Sequence, residues 1–240
     1  MIYVLIPVFN EEGNLPSLHA TLTTIEFKEP VCYVFVDDGS TDQTIDTLHT
    51  LFGGCTHHVL KNPQNQGPGY SFNHGFDFIL NQLNAHKGDT VVTLEGDNTS
   101  DPGILTTMLT LNKLGYDLVL ASPYAQGGGF DQTTLTRKIT SFFANLLLRI
   151  WFDVKVLTLS SFYRVYSVSL LLKLSDQYKP LIKENGFISK VEILIKSIKV
   201  GAQIIEVPMV LHSSKRVGKS KMKVFKTMMS YARFFIRSKI

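Results

Sequence analysis

Apolar runs at residues 2–6, 31–36, 57–60 and 90–94 alternate with helical stretches near 13–25, 42–52 and 70–83, and this rhythm leaves few folds open. Strand, helix, strand in repetition is the pattern of a parallel sheet, because parallel neighbours need a crossover long enough to hold a helix. A helix near 102–114 and strands near 117–121 and 203–207 extend the pattern. The chain is therefore expected to form one α/β unit with a mostly parallel central sheet flanked by helices. Its 240 residues, 44% of them apolar, suit a single compact body of that kind.

Three of the runs break into acids. Pro7 stops the first, and Val8-Phe9-Asn10-Glu11-Glu12 follows. The second runs into Asp37-Asp38-Gly39-Ser40-Thr41-Asp42, and the run at 90–94 into Glu95-Gly96-Asp97. In an open α/β sheet, ligands bind beyond the carboxyl ends of the strands, so carboxylates gathered there face a substrate or a metal. A nucleotide with a divalent cation is the ligand such an edge suits, since hard cations prefer carboxylate oxygen. Glu95 and Asp97 share one face if strand geometry continues through them. Turn chemistry accounts for some of the same residues: Asp42 suits the cap of the next helix, and Glu12 the first turn of a helix, where its charge complements the dipole. Asn65-Gln66-Gly67-Pro68-Gly69 forms a turn before a helix.

In order and spacing, these three acidic strand ends closely resemble the family 2 inverting glycosyltransferases of the GT-A fold, and within them the dolichol-phosphate mannose synthase-like branch. The resemblance runs from residue 2 to about 221 and is strongest over 2–100. It implies a GT-A, Rossmann-like domain at 1–210, with a nucleotide-sugar-binding half at 1–120 and an acceptor half at 121–210. A basic loop and amphipathic tail helix would follow at 211–240. It further implies that Asp38 accepts hydrogen bonds from the donor nucleobase, with Asp37 nearby, and that Pro7, Phe9 and Glu11 pack on the base and bind the ribose. Asn65, Gly67 and Gly69 would line the nucleotide. Asp97 is the first metal candidate and Glu95 the second, for Mg²⁺ or Mn²⁺; the family usually has Asp where Glu95 stands.

Past residue 120 the pattern departs. Pro123, in Ala121-Ser122-Pro123-Tyr124, stands where many relatives have the arginine that meets a phosphate, so another cation is required. Arg137, Arg164, Lys215, Arg216, Lys219 and Lys221 are the candidates, and Arg216-Val217-Gly218-Lys219-Ser220-Lys221 resembles the family's basic loop over the donor. Leu157 replaces an acid found in some lipid-phosphate mannosyltransferases. A hydroxyl acceptor needs a general base, whereas a lipid phosphate is already an anion. The second half lacks the acidic pair of hydroxyl-acceptor relatives, and Glu192 is its nearest substitute. The expected reaction is thus inverting transfer from a nucleotide diphosphate sugar to polyprenyl phosphate. Transfer to a saccharide or lipid hydroxyl, and donor binding without turnover, are the alternatives.

The net charge of +4 conceals an asymmetry: residues 211–240 hold nine Lys or Arg and no acid, against 15 basic and 20 acidic residues elsewhere. Such a tail calls for an anionic partner. Phe225, Met228, Met229, Ala232, Phe235 and Ile236 recur at helical spacing beside a basic face, the signature of an interfacial helix or of a terminal helix docked on the core. The stretch 135–152 is apolar on nearly every side, yet no segment reaches the roughly 18 apolar residues of a spanning helix. Cys32 and Cys55 are too few and isolated for a disulfide framework, and residue 2 already begins a strand, so a cytoplasmic chain held peripherally at the inner membrane face is expected. Gly-x-Gly-x-x-Gly is absent after the first strand, which argues against a dinucleotide oxidoreductase. Three acidic strand ends likewise argue against a nucleic-acid partner.

Overall fold

The computed structural model describes residues 1–131, 149–150, 154–159, 161–218, 230–231 and 234. Arg137, Lys219, Lys221, nearly all of the apolar stretch at 135–152 and the six apolar tail positions named above lie outside them.

Elements follow one another as β1 (Ile2–Val8), α1 (Leu15–Thr23), β2 (Val31–Asp37), α2 (Thr44–Phe52), β3 (His57–Lys61) and α3 (Pro68–Asp77), the last prolonged by a π turn over Phe78–Gln82. Then come β4 (Thr90–Thr93), α4 (Leu105–Lys113) after a short 3₁₀ turn, β5 (Leu118–Ser122), β6 (Gly129–Asp131) and β7 (Arg164–Ser167). The chain continues through α5 (Val168–Gln177), α6 (Ser189–Lys199), β8 (Ile204–Pro208) and β9 (Val210–His212). Seven strands make one sheet in the order β3-β2-β1-β4-β7-β5-β8, and β6 pairs with β9 in a second small sheet.

The sheet is buried on both faces, which is why its strands read as continuous apolar runs rather than as alternating ones. On one side Leu5, Val34 and Val91 meet Phe72 and Phe76 of α3, Leu171 of α5 and Leu194 of α6. On the other, Val4, Phe35 and Val92 meet Leu18 of α1, Phe52 of α2 and Met108 of α4. Gly75 brings α3 hard against β1: a Cβ there would lie 2.2 Å from Leu5 Cδ1.

Two departures from the expected pattern shape the edge of the sheet. β1 does not stop at Pro7 but runs on to Val8, paired with β2 through Pro7↔Val36 and Val8↔Asp37. The proline is tolerated because Ile2 and Val8 bond toward β2 while Leu5, of Pro7's parity, bonds toward β4 by accepting from Leu94 N. Pro7 therefore lacks its donor on the β4 side, where pairing has ended at Leu5↔Thr93. The second departure is β7, which enters between β4 and β5 antiparallel to both, so the two halves of the chain share one sheet. It is only four residues long and opens on the charged Arg164, so it does not read as an apolar run.

Among the described residues no helix is long and apolar enough to cross a membrane. Tyr231 and Phe234 pack against the cluster formed by α3, α5 and α6. Burial pushes the Tyr231 hydroxyl up to about 12. This part of the tail is docked on the core.

Candidate active site

The carboxyl ends of β1, β2 and β4 converge, and the loops beyond them are cross-linked. Asn10, at φ 51°, donates its N–H to Ser40 Oγ at 2.8 Å and accepts from Thr41 N at 2.7 Å. Glu11 N donates to Thr44 Oγ1 at 2.8 Å, and Glu12 accepts from Gln43 N at 2.8 Å. Because α1 begins only at Leu15, Glu12 serves this loop-to-loop tie instead of a first helical turn. Asp42 caps Thr44 through both its N–H and its hydroxyl. Asp37, 2% exposed, accepts from Ser40 N on both oxygens.

Asp38 is 4% exposed and holds three donors: Asn62 Nδ2 at 2.8 Å, Gln66 N at 3.0 Å and Gly67 N at 2.8 Å. It fixes the turn after β3 against the β2 end. The glycines of that turn let the 184–185 backbone approach closely. A Cβ on Gly69 would lie 1.9 Å from Glu184 O, and one on Gly67 2.6 Å from Asn185 O. Gly69 N also donates to Asn185 O at 2.7 Å. Asn65 is exposed at the rim, while Pro7 and Phe9 are half-buried at the β1 end.

Strand geometry ends at Thr93, so Glu95 and Asp97 lie in a turn, followed by Asn98 at φ 57°. Asp97 accepts from Thr99 N and Thr99 Oγ1 on Oδ1, and its Oδ2 pairs with Arg216 Nη2. Arg216 is delivered by β9: His212 N donates to Thr99 O at 2.9 Å, and the 3₁₀ turn Ser213–Lys215 follows. Val217 and Asn14 then exchange two hydrogen bonds, at 2.7 and 3.2 Å, so the 213–218 segment closes over the β1 and β4 ends. Lys215, at the end of that turn, is exposed.

Glu11, 8% exposed, accepts from Asn14 Nδ2 at 2.6 Å and faces the same turn, with its Cγ 3.6 Å from where a Gly96 Cβ would sit. Burial raises the Glu95 carboxyl well above the usual carboxylate range, Asp97 and Glu11 push it further, and Lys190 and Arg216 oppose them. Three carboxylates, Glu11, Glu95 and Asp97, thus act at the β1–β4 edge, and carboxylate oxygen is what a hard cation prefers. Among the described residues no three His, Cys, Asp or Glu side chains form a closed cage. A pair of carboxylates fits Mg²⁺ in particular, which keeps waters and takes its remaining ligands from substrate phosphates.

Two expected site residues do not reach this edge. Arg164 is 1% exposed, and its guanidinium donates to Ser161 O, Leu159 O and Tyr166 Oη inside the core. It holds the carbonyls of Leu159 and Ser161. Glu192, the substitute base, accepts from Lys183 N, Glu184 N and Lys196 Nζ at 2.6–3.0 Å. It anchors the 181–184 loop on α6. In its neighbourhood stands Lys190, which sequence reasoning had passed over because a helical lysine is ordinarily solvated.

Comparison with known proteins bears on this edge. The model of the family described as Glycosyl transferase family 2 matches residues 3–175. The polyprenol monophosphomannose synthase of Mycolicibacterium smegmatis is 28% identical over 224 residues, covering 91% of this chain and 80% of that protein. The undecaprenyl-phosphate mannosyltransferase of Micrococcus luteus is 27% identical, covering 92% and 87%. Glucosyl-3-phosphoglycerate synthase from Mycobacterium tuberculosis, solved in complex with Mg²⁺ and UDP, superposes with a TM-score of 0.66 at 19% identity, covering 98% of this chain and 76% of that one. That last likeness is one of fold.

Proposed function

Because the chain belongs to glycosyl transferase family 2, we propose that it transfers a sugar, with inversion at C1, from a nucleotide diphosphate sugar to polyprenyl phosphate at a membrane surface. Relatives named for this chemistry match nine-tenths of its length. The observation that carries the choice of acceptor is the state of Glu192. A hydroxyl acceptor needs a carboxylate free to take its proton, and Glu192 is held by two backbone N–H groups and Lys196. A phosphate acceptor brings its own anionic oxygen. That oxygen attacks C1 and forms the new C1–O–P linkage as the bond from C1 to the diphosphate breaks. The electron pair leaves with the nucleotide diphosphate.

The donor pocket in this reading is walled by Pro7, Phe9, Glu11, Asp37, Asp38, Asn65 and Gly67, with Asp38 acting in part by holding Gln66 and Gly67 in place. Asp97 and Glu95 would hold a Mg²⁺ or Mn²⁺ ion, which supplies positive charge to the departing diphosphate. Arg216 and Lys215, on the segment that closes this edge, add protein cations to the same task. The basic tail would meet the anionic surface in which the lipid acceptor is embedded.

A glycosyl phosphate is cleaved by mild acid, unlike a glycoside formed on an alcohol. Incubation with a panel of UDP- and GDP-sugars and short-chain polyprenyl phosphate should yield an acid-labile sugar lipid. An acid-stable product would favour a hydroxyl acceptor.

A further inference from the structure

Lys190 and Lys196 lie on one helix, α6, and both are 8% exposed, yet only one is satisfied. Lys196 Nζ donates to Leu181 O at 2.7 Å and pairs with Glu192 at 2.6 Å. Lys190 Nζ has no hydrogen-bond acceptor and no ion-pair partner among the described residues; it lies over the Phe162 ring at 4.5 Å and near the Phe187 ring at 5.3 Å. Two aromatic faces compensate an ammonium only in part. Its position adds a second penalty, because the first turn of a helix carries a positive field that disfavours cations and favours anions. Beside it Ser189 Oγ is fully buried and has no partner. A buried cation, an orphaned hydroxyl and a helix N-terminus thus meet at one place, and all three call for an anion.

The place adjoins the acidic edge. Lys190 lines a small cavity with Thr93, the last residue of β4, and with Phe162. Burial pulls the ammonium below its ordinary range and the neighbouring Arg164 guanidinium, which lines the same cavity, adds to this, while Glu95 and Asp97 oppose them through space.

We propose that Lys190 is a substrate-phosphate ligand: its Nζ donates to a phosphate oxygen at the inner end of the β4 edge, with Ser189 Oγ as a second donor. This rests on the sugar-transfer reading above. It also supplies the cation that Pro123 fails to provide at the end of β5. The phosphate is either the donor's diphosphate or the acceptor's monophosphate, since both reach C1 of the sugar.

Lys190→Met tests this in the full chain, because methionine keeps the apolar stem between the two rings and removes the charge. Calorimetry with Mn²⁺ would compare wild type and variant for UDP and GDP in one arm and farnesyl phosphate in the other. At least a tenfold loss of affinity in one arm, with an undiminished thermal midpoint, is expected. The arm affected identifies the phosphate. Equal affinity in both arms overturns the proposal, as does a wild-type protein that binds neither ligand. Should the methionine variant fail to fold, Lys190→Gln reads the same two arms. These are binding measurements, so absence of lipid-dependent turnover in the wild type would defeat the reaction assigned above and leave the Lys190 result standing.

Discussion

Arg216 Nη2 donates to Asp97 Oδ2 across 119 residues of sequence, so the carboxylate proposed to hold a divalent cation is already paired with a protein one. The guanidinium and a metal ion compete for the same oxygen. Losing a charge pair of this partly exposed kind changes the carboxylate's energy by about 1 kcal/mol. Arg216→Ala should therefore tighten the binding of Mn²⁺ alone by roughly fivefold in calorimetry without nucleotide. Unchanged or weaker Mn²⁺ affinity contradicts the competition.

Asp97→Asn keeps an acceptor for Thr99 N and Oγ1 while removing the charge. If Asp97 holds the ion that stabilises the departing diphosphate, the variant loses about 3 kcal/mol of transition-state stabilisation, roughly a hundredfold in turnover. Metal-dependent donor binding should fall with it. Full activity in this variant would remove Asp97 from the site.

Gly69 tests the packing of the turn after β3. A methyl there would meet Glu184 O at 1.9 Å and Ser189 Cβ at 2.7 Å, and backbone cannot swing aside as a flexible side chain can. Gly69→Ala should cost about 2–3 kcal/mol of stability by denaturant unfolding. Gly88→Ala, which meets nothing within 4 Å, serves as the control and should stay within about 0.5 kcal/mol of wild type.

Glu192→Gln separates anchoring from base catalysis. It leaves the buried Lys196 ammonium without its carboxylate partner, which should destabilise the fold by about 3 kcal/mol. The folded fraction at low temperature should keep its pH–rate profile. Loss of a pH-dependent limb of that profile, with stability unchanged, would restore Glu192 as a base.

Strand ends were legible in the sequence because burial on both faces makes β1, β2 and β4 continuous apolar runs, and the acids that follow them stand out. The same logic concealed β7, where Arg164 interrupts the run with a charge whose carbonyl partners lie in the preceding loop. Gly67 and Gly69 were visible as a turn, but what they accommodate is Glu184 and Asn185, a contact between distant segments that no local pattern encodes. Lys190 escaped notice for a related reason: its type predicts solvent, and only packing between Phe162 and Phe187 reveals it as buried.

The most direct measurement follows nucleotide diphosphate release from UDP- and GDP-sugars with Mn²⁺, with and without short-chain polyprenyl phosphate. One donor should be consumed, with release that depends on the lipid phosphate. Release that is indifferent to the lipid phosphate, or bound donor that is never released, would contradict transfer to polyprenyl phosphate.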